Sequence, residues 1–221
     1  MKPVQARIAV AALLLLAPGP PAHGAGPVGL PRGAARAPAA SELRIDPEKS
    51  RFIVETQTSG LSGSSLHDHR IGIGDFSGTV TLVPGALATS KVSLTVRAGS
   101  LHLLDDNRVG EGRAIEWTLR EDVLEVTKYP EITFKSRTTK ASRRGDGSYD
   151  VRLTGELALH GVRKVVTIPA RVSLEGGTIH AIGTLEIRQS EFDITPFSFV
   201  GGVVTIKDAV FLSFDIVAVP T

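Results

Sequence analysis

The sequence predicts an all-β protein: an antiparallel, closed up-and-down barrel of about eight strands with a short amphipathic helical insertion around residues 111–126. Apolar and polar residues alternate with period two through most of the chain after residue 41, which is typical of strands with one buried face. Short glycine-containing turns separate these segments and favour antiparallel neighbours. Closure of such a sheet into a barrel removes its exposed edges.

The first 25 residues have the organisation of a cleaved signal peptide. Lys2 and Arg7 form a basic region, an apolar run covers residues 8–17, and a break begins at Pro18. Small residues that suit a signal peptidase follow at Ala22, Gly24 and Ala25. The run is much shorter than the roughly 20 residues of a spanning helix. We therefore expect a periplasmic or secreted protein with no transmembrane segment after cleavage; an uncleaved anchor is the alternative.

Residues 26–41 are predicted to be a flexible linker of glycine, proline and alanine, and residues 42–221 to form the folded domain. The whole chain has a net charge of +2, but four basic residues precede position 41, which leaves 21 Lys and Arg against 23 Asp and Glu, or −2. Without a basic surplus the domain is not expected to bind nucleic acid. The lack of cysteine excludes disulfides and thiolate metal sites.

Eight alternating segments follow one another along the domain, with turns between several of them. Small inward residues in the later segments leave room inside the predicted barrel. The inward apolar residues are, in order, Phe52 and Val54; Phe76, Val80 and Leu82; Val92, Leu94 and Val96; Ile132 and Phe134; Tyr149, Val151, Leu153, Leu157 and Leu159; Val166, Ile168, Ala170, Val172 and Leu174; Ile179, Ala181, Leu185 and Ile187; Val210, Leu212, Phe214 and Ile216. The small ones are Gly155, Ala170, Ala181 and Gly183.

Residues 111–126 depart from this alternation. Polar residues at positions 105–107 can cap a helix start there, and Tyr129-Pro130 ends it. We predict an amphipathic helix across one end of the barrel, and the sequence leaves open whether it is a simple plug or a lid over a cavity. Its apolar residues recur near helical spacing, at Ile115, Leu119, Val123 and Val126.

The motif His67-Asp68-His69 precedes a strand. Residues two apart on a strand point the same way, so both imidazoles share the inward face of Ile71, and a bulge near Gly72 or Gly74 accounts for the changed alternation beyond it. Three interpretations stay open: a metal-binding pair, with His102 and His160 as further ligands; hydrogen-bonded interior side chains; or a polar anchor for a ligand headgroup.

An enzyme is not expected. Ser64 and Ser65 lie near His67, but no nucleophile elbow surrounds them. Asp105 and Asp106 stand where a helix start favours acidic caps rather than a catalytic pair.

Six segments, taken in their order and spacing, resemble the YceI-like family of polyisoprenoid-binding, lipocalin-like periplasmic proteins. The resemblance covers residues 43 to about 219, and the histidine motif is similar to that of a subset of the family. The segments are LRIDPEKSRFIVET, DFSGTVTL, KVSLTVRAGSL, EVTKYPEITFKS, LTGELALHGVRKVVTIPARV and IRQSEFDITPFSF.

The resemblance implies a barrel whose apolar interior holds an isoprenoid-type chain, either a polyisoprenoid or a quinone-like lipid. It implies a carrier or sequestering role connected with stress response and lipid handling, and it defines no catalytic residue and no cofactor. His67, Asp68 and His69 are then the predicted polar anchor. Alternatives are metal binding by His67 and His69, or a filled barrel without ligand, and both a monomer and a homodimer are compatible with the sequence. The predicted apolar lining is Ile71, Phe76, Leu94, Trp117, Phe134, Leu157, Phe192, Phe197, Phe199 and Phe214.

Overall fold

The structure, a computed structural model, describes residues 40–60, 68–83, 85–104, 111–199 and 204–221. The predicted signal peptide and nearly all of the predicted linker lie outside these ranges. So do several residues singled out in the sequence, namely Ser64, Ser65, His67, Asp105, Asp106 and Asn107.

The described residues form an all-β domain with one short helix. The strands are β1 (Ser41–Ile45), β2 (Arg51–Glu55), β3 (Thr58–Gly60), β4 (Arg70–Ile73), β5 (Phe76–Leu82), β6 (Lys91–Arg97), β7 (Leu101–Leu103), β8 (Glu131–Arg143), β9 (Tyr149–Leu159), β10 (Val162–Glu175), β11 (Thr178–Arg188), β12 (Ser198–Phe199), β13 (Val204–Ile206) and β14 (Ala209–Pro220). The helix is α1 (Glu111–Thr118).

Eight strands close the barrel in the order β1, β5, β6, β8, β9, β10, β11 and β14, and β14 pairs back to β1. Every pairing is antiparallel. The predicted closed antiparallel barrel is therefore confirmed, and inward residues follow the predicted alternation. Leu174 is an exception, because it lies near the tip of the β10–β11 hairpin and is exposed.

Three neighbouring walls of the barrel consist of interrupted strands. β1 and β2 both run antiparallel to β14, with Ile45 opposite Ala218 and Arg51 opposite Asp215. In the same way β4 continues into β5, and β6 into β7, so that β2, β4 and β7 extend the sheet beyond the ring. The break between β4 and β5 falls at Gly74, where the sequence predicted a bulge. When β1 and β2, β4 and β5, and β6 and β7 are each counted as one strand, strands that follow one another in the sequence are neighbours in the barrel. This is the predicted up-and-down order.

The two ends of the barrel differ. The hairpin end carries the β8–β9 and β10–β11 turns and a short 3-10 helix, Leu87–Thr89. The helix end carries α1, which continues as a single π-helical turn over Leu119–Val123, where the Leu124 amide donates to the Leu119 carbonyl at 3.0 Å. The predicted helical insertion is confirmed, and it ends three residues earlier than predicted because Glu125 adopts a left-handed φ of 44°. No helix among the described residues is long and apolar enough to cross a membrane.

The β9–β10 turn, also at the helix end, consists of His160 and Gly161 alone. Both residues have positive φ, 50° and 76°, as a two-residue hairpin turn of this kind requires. A side chain at Gly161 is excluded by contact as well, since a Cβ there would lie 2.6 Å from Cε1 of Tyr129. A second, three-stranded sheet of β12, β13 and β3 completes the domain.

Candidate ligand cavity

The barrel encloses a cavity of about 250 Å³. Its volume is close to the lower end of the range for small-molecule pockets, ~300 Å³. The wall consists of the inward side chains of strands around the whole ring, so the alternation that forms the barrel also forms the cavity. Representative wall residues are Phe52, Val54, Leu94, Phe134, Leu157 and Phe214.

Among the residues that the structure describes, no charged side chain lines the cavity, and the polar residues of its wall carry hydroxyl or amide groups. Transfer of a charged group into such surroundings is strongly unfavourable, whereas an uncharged apolar chain gains from leaving water. The cavity is therefore suited to an uncharged, largely apolar guest. Its polar wall residues are Thr56, Ser90, Thr133, Thr139 and Gln189.

The helical segment closes one end of this space. Leu119, Val123 and Leu124 line the cavity at the helix end. At the hairpin end Ile45 and Val80 line it, while Leu43, two residues before Ile45, is only 1% exposed and fills the barrel beyond the cavity. The helix is thus a cover over a hollow interior rather than a plug in a filled one.

Side chains of the helical segment take the place of a strand beside β7. The β7 edge that faces away from β4 has no strand partner among the described residues. There the Leu103 amide donates to Glu116 Oε1 at 2.9 Å, and Arg120 Nη2 donates to the Leu101 carbonyl at 3.0 Å. Glu116 and Arg120 also form an ion pair at 3.4 Å, one helical turn apart. The open sheet edge is satisfied by side chains instead of backbone.

Five residues of the predicted apolar lining do line the cavity: Ile71, Leu94, Phe134, Leu157 and Phe214. Phe76 and Phe192 are buried, at 8% and 1% exposure, but belong to the packed core around the cavity. Phe76 packs edge-to-face on Phe52, with ring centroids 4.8 Å apart.

Two residues of that prediction are misplaced. Trp117 is 59% exposed and Phe197 is 38% exposed, so their placement in the interior is wrong. Trp117 precedes the cavity-lining Leu119 by two helical positions, about 200° around the helix axis, and points away from the cavity. Phe197 lies in the irregular segment before β12. The side chain of Phe199 lies outside the described residues.

The sequence predicted open space beside the inward glycines, but aromatic side chains occupy it. A Cβ at Gly155 would lie 2.7 Å from Cζ of Phe134, and one at Gly183 would lie 2.4 Å from Cζ of Phe214. Each ring therefore rests against the backbone of a neighbouring strand, which only glycine permits. The glycines therefore let these two aromatic rings approach the wall closely.

The described part of the histidine motif lies beside the helix end of the cavity. The exposed Asp68 accepts hydrogen bonds from the Thr58 amide at 2.8 Å and the Thr58 hydroxyl at 3.3 Å. His69 is half-buried, and its carbonyl accepts from the amide of Thr56, a wall residue, at 3.0 Å. His67 lies outside the described residues, and His69 is not itself part of the wall.

The histidines considered as further metal ligands are engaged elsewhere. Nδ1 of His102 lies 3.2 Å from the Ser100 carbonyl. The two ring nitrogens of His160 contact Glu125 Oε2 at 2.8 Å and the Phe192 carbonyl at 3.1 Å. Over the residues that the structure describes, no three His, Asp or Glu side chains are arranged to hold a metal ion.

Sequence reasoning missed several residues of the site, among them Ser90, Thr139, Glu116 and Arg120. Ser90 and Thr139 are inward polar residues of the wall. A signal for Ser90 was present in the sequence, because it continues the alternation of Val92 and Leu94 by one more step. Glu116 and Arg120 left no such signal, because their role depends on which strand lacks a neighbour.

Together these features define a closed antiparallel β-barrel with an apolar internal cavity and a helical cover. The model of the YceI-like domain family matches residues 43–218, and the chain belongs to this family. This confirms the resemblance found in the sequence.

Among relatives, a UPF0312 protein of Pseudomonas putida is 34% identical over 140 residues, which are 62% of this chain and 65% of that protein. The UPF0312 protein VPA0850 of Vibrio parahaemolyticus is 32% identical over 161 residues, or 70% and 78% of the two chains. The chain thus spans a little under two thirds of the length of the Pseudomonas relative.

Solved structures share the fold at lower identity. BcnA of Burkholderia cenocepacia has a TM-score of 0.58 at 22% identity, covering 78% of this chain and 98% of that one. A polyisoprenoid binding domain from Saccharophagus degradans, implicated in plant cell wall breakdown, has a TM-score of 0.60 at 13% identity, covering 83% and 100%.

Proposed function

We propose that this protein is a non-catalytic lipid-binding protein that holds an isoprenoid-type chain, a polyisoprenoid or quinone-like lipid, inside its barrel. The observation that carries the proposal is a cavity whose wall is largely apolar around the whole ring and, over the described part of the chain, bears no charged group. The polyisoprenoid-binding domain with the same fold supports the choice of ligand class. A carrier or sequestering role in the periplasm or outside the cell is part of the proposal.

The affinity comes from removing the chain from water. Each buried CH₂ group contributes about 0.8 kcal/mol, while association costs at least ~4 kcal/mol of translational and rotational freedom. Several carbons must therefore be buried before binding is favourable. A long, slim chain meets this requirement in a narrow barrel, whereas a small polar molecule does not.

The wall chemistry supports a carrier rather than an enzyme. No described residue of the wall has an acidic or basic side chain, because its polar members are Thr, Ser and Gln. General acid–base or nucleophilic catalysis needs an ionisable group or an activated nucleophile in contact with the substrate.

The anchoring role predicted for His67, Asp68 and His69 stays a prediction. The carboxylate of Asp68 is already used by Thr58. A headgroup held near His69 would place the polar end of the ligand at the helix end.

The proposal is tested by filling the cavity from one strand. Ala181 lines the cavity, and its neighbour Ile182 is 42% exposed on the outside of the same strand. Delipidated protein should bind geranylgeraniol, measured by native mass spectrometry and by thermal shift. Ala181→Leu should reduce this binding at least tenfold, because the added side chain occupies the guest's space. The control Ile182→Leu should bind as the wild type does. If the wild type shows neither bound geranylgeraniol in the native mass spectrum nor a thermal shift, the proposal is contradicted.

A further inference from the structure

The backbone ladder between β10 and β11 covers only the part of these strands near the hairpin end. It stops where Ala170 lies opposite Gly183, whereas β10 stays paired with β9, and β11 with β14, all the way to the helix end. Residues 162–169 of β10 and 184–188 of β11 therefore have no backbone pairing with each other. We call this part of the wall the seam.

Pro169 stands where the seam begins. Its carbonyl oxygen lies so close to Gly183 that a Cβ there would be 2.3 Å away. In an antiparallel strand the carbonyl and the amide of one residue point to the same side, so the N–H that proline lacks is missing on the side of β11. Because proline cannot donate to a ladder, the sequence of β10 itself ends the pairing here.

A surface groove crosses the outside of the barrel at the start of the seam. Its lining includes Lys140 on β8, Arg152 on β9 and Arg171 on β10. Val151 and Phe214 line this groove and the internal cavity as well. The groove and the cavity therefore share part of their wall, at the place where the backbone ladder stops.

The cations of the groove are not used within the fold. Within the described part of the chain Lys140, Arg152 and Arg171 form no ion pair, and the acidic residue of the groove, Asp150, is held by Arg144 at 2.9 Å. Lys140 and Arg152 lie directly opposite each other on neighbouring strands. Like charges in that position repel, and an anionic partner outside the barrel would relieve the repulsion.

The distribution of charge over the whole domain is uneven in the same sense. Residues 131–175, from β8 to β10, contain nine Lys and Arg against five Asp and Glu, a net charge of +4. The rest of residues 41–221 contains twelve against eighteen, a net charge of −6. Such a separation gives one face of a molecule a positive potential that attracts anionic surfaces.

Two exposed apolar side chains accompany the cations. Val165, on the unpaired part of β10, is 58% exposed, and Ile182, which also lines the groove, is 42% exposed. Side chains of this kind gain from contact with the apolar part of a lipid layer.

We propose that the basic face, defined by Lys140, Arg152 and Arg171, docks the protein onto an anionic membrane surface with the seam toward the lipid. Charge complementarity determines the sign of the partner. The choice of a membrane rather than an acidic protein rests on the proposed function, because a long apolar chain is poorly soluble in water and partitions into a bilayer. Docking in this orientation brings the source of the chain to the place where the cavity and the surface share a wall.

The experiment measures cosedimentation of the protein with vesicles. One set contains phosphatidylglycerol and phosphatidylcholine in equal parts, and the other contains phosphatidylcholine alone. The wild type should bind the anionic vesicles and not the neutral ones, and added NaCl should release it. The double variant Arg152→Gln/Arg171→Gln should bind roughly 25-fold more weakly, because each basic residue at an anionic surface contributes about fivefold.

Two further double variants are the controls. Arg152→Lys/Arg171→Lys keeps both charges and should bind nearly as the wild type does. Arg44→Gln/Arg51→Gln removes the same charge from exposed positions on β1 and β2, outside the groove, and should have little effect. In solution without vesicles, all three variants should bind geranylgeraniol as the wild type does.

The outcomes distinguish this inference from the proposed function. If the wild type binds neutral and anionic vesicles equally, or neither, the inference is wrong, while binding of geranylgeraniol in solution tests the proposed function separately. If Arg44→Gln/Arg51→Gln loses as much binding as Arg152→Gln/Arg171→Gln, net charge and not the basic face is responsible, and the inference is wrong. If a DNA duplex at the same concentration of phosphate groups displaces the vesicles completely, the face binds polyanions in general, and the inference is again wrong.

Discussion

The imidazole of His160 joins three segments at the helix end. Its Nε2 lies 2.8 Å from Oε2 of Glu125, just after the helical cover, and its Nδ1 lies 3.1 Å from the carbonyl of Phe192 in the 3-10 helix after β11. The ring also meets Tyr129 edge-on at 4.5 Å. Glu125, His160 and Asp193 are the described non-glycine residues with left-handed φ, and each lies in one of the joined segments. A single side chain thus ties the cover to the barrel.

Replacing this imidazole should destabilise the protein. His160→Asn removes the ring, while asparagine still tolerates the left-handed backbone. We expect a loss of about 2 kcal/mol in the free energy of unfolding, because the side chain is only 9% exposed and two partners lose their bonds. Urea denaturation measures this change.

His180 provides the matched control. Its Nε2 pairs with Asp215 Oδ1 at 2.6 Å, but both side chains are about half exposed. Exposed pairs contribute on the order of 0–1 kcal/mol, so His180→Asn should have a small effect. Equal losses in the two variants would show that the tie at the helix end has no special importance.

The side-chain bonds on the edge of β7 should control local opening. Glu116→Ala removes the acceptor of the Leu103 amide, so exchange of that amide hydrogen should accelerate at least fivefold. Glu116→Gln keeps an acceptor oxygen at the same place and should restore most of the protection. Hydrogen exchange followed by NMR distinguishes the two variants, and equal exchange in both would refute this role.

Asp208 should make stability depend on pH in the acidic range. Hydrogen bonds from the Ser190 amide and hydroxyl, both 2.7 Å, hold the pKa of the Asp208 carboxyl below its ordinary value of 3.8. The pKa of Asp208 is lower in the folded state than in the unfolded state. The two hydrogen bonds therefore stabilise the fold fully above pH 3.8, and this stabilisation is lost as the pH falls through the folded-state pKa.

The titration is isolated by Asp208→Asn, which keeps an acceptor oxygen but has no charge to lose. The urea midpoint of the wild type should exceed that of the variant at pH 7, and the two should converge below pH 3.8. If the difference in urea midpoint between the wild type and the variant stays constant with pH, the carboxylate charge is not the cause of that difference.

Strand alternation predicted most of the fold because it depends only on which face of each strand meets the interior. It located the inward residues Leu94, Phe134 and Phe214, and the change in alternation predicted a bulge near Gly72 or Gly74, where the structure has a break between two strands. The predicted interior position of Trp117 is wrong because its helical angle relative to Leu119 turns it outward. The hydrophobicity of a tryptophan side chain favours its burial, but its angular position on the helix decides whether it faces the interior.

The polar features of the site depend on partners that a sequence does not show. The alternation places Ser90 inside, but it does not show that the Ser90 hydroxyl has no hydrogen-bond partner among the described residues. Likewise, Glu116 and Arg120 look like an ordinary helical ion pair until β7 is found to lack a strand beside it among the described residues.

The breaks in three adjacent strands give the wall unequal strength around its circumference. On the helix side of the breaks, β2, β4 and β7 are attached to the ring by the ladder between β2 and β14, and their far margin rests on Glu116 and Arg120. Under the proposed function, a lipid that passes through that margin displaces the Glu116 and Arg120 side chains and, among the described residues, no strand partner of β7. Loading by this route then does not require global unfolding.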